Sequence, residues 1–274
     1  MGVICSAHSC ASACTFLANA AAGVAQDLSA LAADQNAEFL NFVGQPDLTV
    51  TYRYVNAPGP PRITALQDGT YLVLMMRPYI LDVLVWSDHI AACDLDRSVC
   101  ARTNSYLDHF EANFAGMTAA FEPLVRNGPD RTCPTRGTEP FAAAFTSTYL
   151  TAMLFMQVHE IAHVMLGHFD QTDAPDALDE AAADGFAFAI LQNMDGMDGI
   201  YPRLGAAALL PLVRPDYRSA FYPDPRCRVT SLGYTLQDSA SEGLDCAEYQ
   251  QSFAAGVVAG RAAIGPDTTI NSDP

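Results

Sequence analysis

Lysine is absent from this chain. All 14 basic residues are arginine, set against 31 Asp and Glu, and the formal net charge is −17. A surface this acidic repels phosphate backbones, which argues against a nucleic-acid partner. With no basic cluster there is no electrostatic handle for anionic lipid either. Long apolar runs are missing as well: none reaches the ~18 residues a membrane-spanning helix needs. Asp82 and Asp88 interrupt the strongest candidate, Tyr71 to Ile90. None of the eight cysteines falls in C-x-x-C, which argues against a zinc–thiolate site. The chain has no G-x-x-x-x-G-K-S/T, no G-x-S-x-G and no internal repeat, so phosphate-loop, nucleophile-elbow and solenoid readings find no support.

What remains is ample apolar material. Half of the 274 residues are hydrophobic, enough for one domain spanning residues 1–274 with a core of its own. Only one segment dictates a chemistry. Phe155 to Leu166 reads F-M-Q-V-H-E-I-A-H-V-M-L, with no Gly or Pro and, apart from Gln157, no polar residue outside His159, Glu160 and His163. Such a run predicts helix. Residues four apart share a helix face, so His159 and His163 offer two imidazoles to one cation. Zinc sits roughly 2.0–2.1 Å from such nitrogens. Glu160, about 100° round the helix from His159, is poorly angled to be a ligand but well placed to take a proton from water beside the metal.

A catalytic zinc usually has three protein ligands and one open position. The candidate for the third is Glu180, in the run Glu180-Ala-Ala-Ala-Asp184. Asp173, Pro175 and Asp176 predict a helix start, and Ala177 to Leu191 continues as helix. Gly167 to Pro175 leaves room for a reversal, so two antiparallel helices would set Glu180 opposite the histidines. Asp184, one turn on, would stand behind the site and fix a ligating imidazole. His168 is open to three readings: a fourth metal contact, an idle residue, or a cation in the last turn of the first helix, where it favours the negative helix end. The last is the expectation.

H-E-x-x-H followed by E-x-x-A-D resembles the gluzincin metallopeptidases, over residues 150–195. The resemblance implies His159, His163 and Glu180 as zinc ligands, Glu160 as the base that activates water, and Asp184 as support. Thermolysin-like enzymes have a similar E-x-x-x-D on the second helix. The E-x-x-A-D form, with Gly167-His168 after the first helix, is similar to that of bacterial membrane-associated and repressor-cleaving gluzincins and of phage-exclusion peptidases. The implied function is zinc-dependent hydrolysis of a polypeptide. The alternative is a non-catalytic, immunity-type protein with a structural metal, which would have no need of Glu160. Tyr201, Arg203, Tyr217 and Tyr222 are candidate donors to the oxyanion.

The expected fold is α+β and mostly helical, a zincin-like core with a small antiparallel sheet ahead of the active-site helix. Leu48 to Val55 alternates as a strand, Arg62 to Leu66 is a short partner, and Thr70–Met76 and Tyr79–Trp86 are apolar runs open to strand or buried helix. Asn104–Val125, Pro140–Leu166, Leu204–Val213 and Cys246–Ile264 predict helices, and residues 1–42 an Ala-rich one. Cys93 and Cys100 flank a polar loop that one disulfide could close. Cys133 and Cys227 lie in polar loops. An even number of loop cysteines points to an oxidising compartment, periplasmic or extracellular, with the cytoplasm as the alternative. Residues 1–26 carry an apolar stretch like a weak signal segment but lack its positive start. Asn193–Gly199 hints at calcium without the full ligand pattern. Nothing in the sequence sets an oligomeric state.

Overall fold

The computed structural model describes residues 40, 45–119, 139–169, 176–194, 200–217, 222–234 and 245–264. The expected helix over 1–42 (apart from Leu40), the signal-like segment, Cys5, Cys10, Cys14 and Cys133, residues 195–199 of the calcium-like segment and residues 265–274 lie outside them.

Three strands open the described chain: β1 (Val50–Val55), β2 (Arg62–Ala65) and β3 (Tyr71–Met76). The sheet is small, as expected, but mixed rather than antiparallel. Its order is β1-β3-β2, with β3 antiparallel to β2 and parallel to β1. Two connections of different chemistry explain this. Between β2 and β3, Gly69 takes φ 82° and Asp68 accepts from the Thr70 amide at 3.0 Å, the turn chemistry of a tight hairpin. Between β1 and β2 stand Pro58, Pro60 and Pro61, which cannot donate to a ladder or close a two-residue turn. The chain therefore passes over the place that β3 then fills.

β3 runs directly into α1 (Arg77–Leu95), with Pro78 in its first turn. The two open apolar runs thus resolve as a strand and a buried helix. Next come a short α2 (Arg97–Cys100) and α3 (Thr103–Thr118), which is kinked where Asn113 leaves helical geometry. The Cys93–Cys100 disulfide closes the α1–α2 junction. The long central helix α4 (Glu139–Met165) packs against α1 and against the later helices α5 (Ala177–Met194) and α6 (Ile200–Leu209). A 3-10 turn (Leu210–Val213), a short α7 (Pro225–Ser231) and α8 (Ala247–Ile264) complete the described chain. Most core side chains form one continuous cluster drawn from α1, α4, α5 and α6. The architecture is α+β and mostly helical.

Glycine decides how α5 meets α8. A Cβ on Gly185 would lie 1.9 Å from the Phe253 carbonyl oxygen, and one on Gly256 at 1.9 Å from that of Ala182. The two backbones touch, so α8 acts as a rigid back wall for the helix that carries Glu180 and Asp184.

Asp82, wholly buried on α1, pins the 3-10 turn. Its Oδ2 accepts from Arg214 Nη1 at 2.6 Å and from the Tyr217 hydroxyl at 2.9 Å, while Oδ1 has no partner. Burial raises the Asp82 carboxyl to about 6, in spite of Arg214. The folded state thus favours the neutral acid. That stabilisation is fully present below an unfolded value of about 3.9 and is lost as pH rises through 6, at about 1.4 kcal/mol per unit. Asp82→Asn should therefore remove this slope from the difference between urea unfolding at pH 4.5 and pH 7.5, and cost little at pH 7.5. A loss of about 3 kcal/mol at pH 7.5, the cost of breaking a buried ion pair, would show that the ionised pair stabilises the fold instead.

Candidate metal centre

The three expected metal-ligating side chains, His159, His163 and Glu180, come together. His159, Glu160 and His163 lie on α4 and Glu180 on α5, all buried. Asp176 caps α5: its carboxylate accepts from the Leu178 and Asp179 amides, and Asp179 accepts in return from the Asp176 amide. The cap sets the rotation of α5, and Glu180 follows directly behind it.

Two imidazole Nε2 atoms and the two oxygens of the Glu180 carboxylate form a compact triangle of groups. His159 Nε2 and His163 Nε2 are 3.3 Å apart, His159 Nε2 is 3.3 Å from Glu180 Oε2, and His163 Nε2 is 3.4 Å from Glu180 Oε1. Among the described residues this is the cluster of His, Cys, Asp and Glu that could hold a metal ion. Glu160 stays outside it and lines a cleft with Pro60, Tyr79, Met156, Tyr222 and Arg228. Asp184 stands behind the triangle, with Oδ1 2.9 Å from His159 Nδ1, although the ring is turned off the line of a well-aligned hydrogen bond.

The electrostatics show what the cluster demands. Burial lowers the affinity of His159 for a proton, but Asp184 and Glu180 reverse this and raise its imidazole to about 10. Burial pushes Glu180 upward, and His159, His163 and Arg228 bring it well below the usual carboxylate range. Glu160 is raised by its burial, against the pull of His159 and His163. Two of the buried carboxylates, Glu180 and Asp184, lie against one fixed cation.

That cation, Arg228 on α7, escapes the sequence reading. Its Nε and Nη2 donate to Asp184 Oδ2 and Oδ1 at 2.6 and 2.8 Å, and Nη2 lies 3.5 Å from Glu180 Oε2. The Tyr249 hydroxyl, from α8, donates to the same Asp184 Oδ2 at 3.0 Å. The Cys227–Cys246 disulfide ties the residue next to Arg228 to the start of α8. The one signal available was a cysteine beside Arg228 in a polar loop, which named no partner.

The four candidate oxyanion donors separate. Tyr222 lines the cleft with Glu160. Tyr217 is committed to Asp82, and Arg203 pairs with Asp94. The side chain of Tyr201 lies outside the described ones. His168 is not a helix-end cation: it is buried, and burial with His163 lowers its pKa, which favours the neutral ring.

No curated protein and no solved structure matches the chain. A family model does: that of Peptidase U49 matches residues 93–223, the stretch that contains α4, α5 and the triangle. Over this segment the chain is similar to a peptidase family, whose substrates are polypeptides.

Proposed function

We propose that this chain is a zinc-dependent metallopeptidase of the gluzincin type, built as one zincin-like domain, with His159, His163 and Glu180 as metal ligands. The triangle carries this reading. Ligands at 2.0–2.1 Å around a tetrahedral ion lie ~1.6 times that distance apart, ~3.3–3.4 Å, close to the 3.3 Å between the two Nε2 atoms and the 3.3 and 3.4 Å from each of them to its nearer Glu180 oxygen. Charge supports it too. Against its burial, Asp184 and Glu180 raise the His159 imidazole to about 10, a demand for positive charge that a metal cation would meet in place of the proton. Two imidazoles and one carboxylate suit zinc, and leave a fourth position open.

When bound, zinc would polarise the scissile carbonyl and acidify the attacking water. Glu160 takes the proton of that water and delivers it to the leaving amine. Its raised proton affinity suits a group that must both accept and return a proton. Asp184 holds the His159 ring, and Arg228 and Tyr249 hold Asp184. Tyr222 is the donor to the developing oxyanion: burial, then Glu180 and Glu160, raise its hydroxyl, so it keeps its proton. Two disulfides fit export to an oxidising compartment.

An unfolded, carboxymethylated polypeptide should be cleaved by the untreated protein, spared after zinc is stripped with a strong chelator, and cleaved again once zinc is returned. Tyr222→Phe should lower kcat by about 10²–10³, as expected for one oxyanion donor, with metal content unchanged. Cleavage that continues in metal-free protein would sink the proposal.

A further inference from the structure

His168 occupies a place that the end of α4 prepares for it. The helix closes with Gly167 at φ 73°. The Gly167 amide donates to Val164 O at 3.1 Å and the His168 amide to His163 O at 2.9 Å. This is the Schellman pattern, in which the second residue past the cap folds back onto the side chain five positions earlier, usually through an apolar contact. Here the two residues so joined are both histidines, and one belongs to the metal triangle. Their Nδ1 atoms lie 2.8 Å apart, both rings buried, and the other nitrogen of His168 is 3.4 Å from Asp179 Oδ1.

With a metal facing His163 Nε2 and a neutral His168, one assignment of protons satisfies the contacts of this pair. To present an Nε2 lone pair to a metal, His163 must carry its proton on Nδ1 and donate it. His168 then accepts on its own Nδ1, carries its proton on Nε2 and turns it toward Asp179. Asp179 is held in place because its other oxygen accepts from the Asp176 amide in the helix cap. With both nitrogens engaged, His168 has no lone pair left for a metal.

We propose that His168 is the positioning residue of the second zinc ligand: it fixes the tautomer and tilt of His163 as Asp184 does for His159. Both supports end on carboxylates of α5, Asp179 and Asp184, which bracket Glu180. One helix thus supplies the third ligand and orients the other two. The inference rests on the zinc reading above.

The test is zinc affinity, by competition with a chromophoric chelator, for wild type, His168→Leu and His168→Gln. Leu keeps the apolar contact usual at this position, so the metal-free Leu variant should melt at or above the wild-type temperature. Its zinc affinity should nevertheless fall 10–100-fold, the range for lost supporting partners. Gln can accept and donate at once, and should restore affinity to within about threefold of wild type. In histidine-labelled protein, the His163 Nδ1 proton should be protected from exchange in wild type and in the Gln variant, and exposed in the Leu variant. A His168→Leu protein that binds zinc as tightly as wild type overturns this inference alone. Wild type that binds no zinc overturns the zinc reading, and this inference with it.

Discussion

Glu160→Gln is expected to lower kcat against an unfolded polypeptide by about 10²–10⁴, the usual contribution of a positioned acid or base, while one zinc per chain remains bound. Two observations set this expectation. Glu160 lies outside the ligand triangle, so the metal should not depend on it. It also lines the cleft beside Tyr222, within reach of a substrate held there. Gln preserves size and hydrogen bonding but cannot take a proton. Each factor of ten is about 1.4 kcal/mol of barrier, so the substitution is asked to remove about 3–5 kcal/mol. The measurement is steady-state cleavage with zinc content determined on the same sample. Full activity in a zinc-loaded Glu160→Gln protein would remove the base from the mechanism. Loss of zinc from the variant would place Glu160 among the ligands instead.

Glu180→Ala should have a still larger effect on the metal. It leaves two imidazoles to hold the ion and withdraws the carboxylate that lies within 3.5 Å of Arg228, so a buried guanidinium gains an unbalanced share of charge. Zinc affinity should fall by more than the 10–100-fold typical of supporting residues, and activity with it. Thermal melting gives a readout independent of catalysis. A ligand at 100 times its dissociation constant stabilises the folded state by about 2.7 kcal/mol, which for a chain of this length is roughly 5–10 °C. Wild type should gain that shift on adding zinc and Glu180→Ala should not. Equal shifts in both proteins would mean that the ion binds elsewhere.

The meeting of His159, His163 and Glu180 was legible because its geometry is local. His159 and His163 follow from the four-residue turn of one helix, and Glu180 from a second helix that begins with a readable cap at Asp176. The Cys93–Cys100 disulfide was legible for the same reason: it closes a loop within one short stretch. What the sequence concealed comes from a distance. Arg228 lies 44 residues after its partner Asp184 and Tyr249 lies 65 after it. The close glycine contact of α5 with α8 and the Cys227–Cys246 bond help to bring them there. The parallel pairing of β1 was hidden because pairing depends on which strand fills the middle position, and alternation within a strand says nothing about that. His168 lies between these cases. Its glycine and its spacing from His163 were both in view, but placing the ring needs the backbone of the helix end rather than the charge of a histidine in the last turn.

The most direct test of the central claim is elemental analysis of folded wild-type protein, purified without a metal-affinity tag and reconstituted with zinc. The arrangement of His159, His163 and Glu180 predicts about one zinc per chain. Folded protein that retains no zinc would contradict it, and would leave the two histidines and the glutamate as a buried hydrogen-bonded cluster with no hydrolytic role.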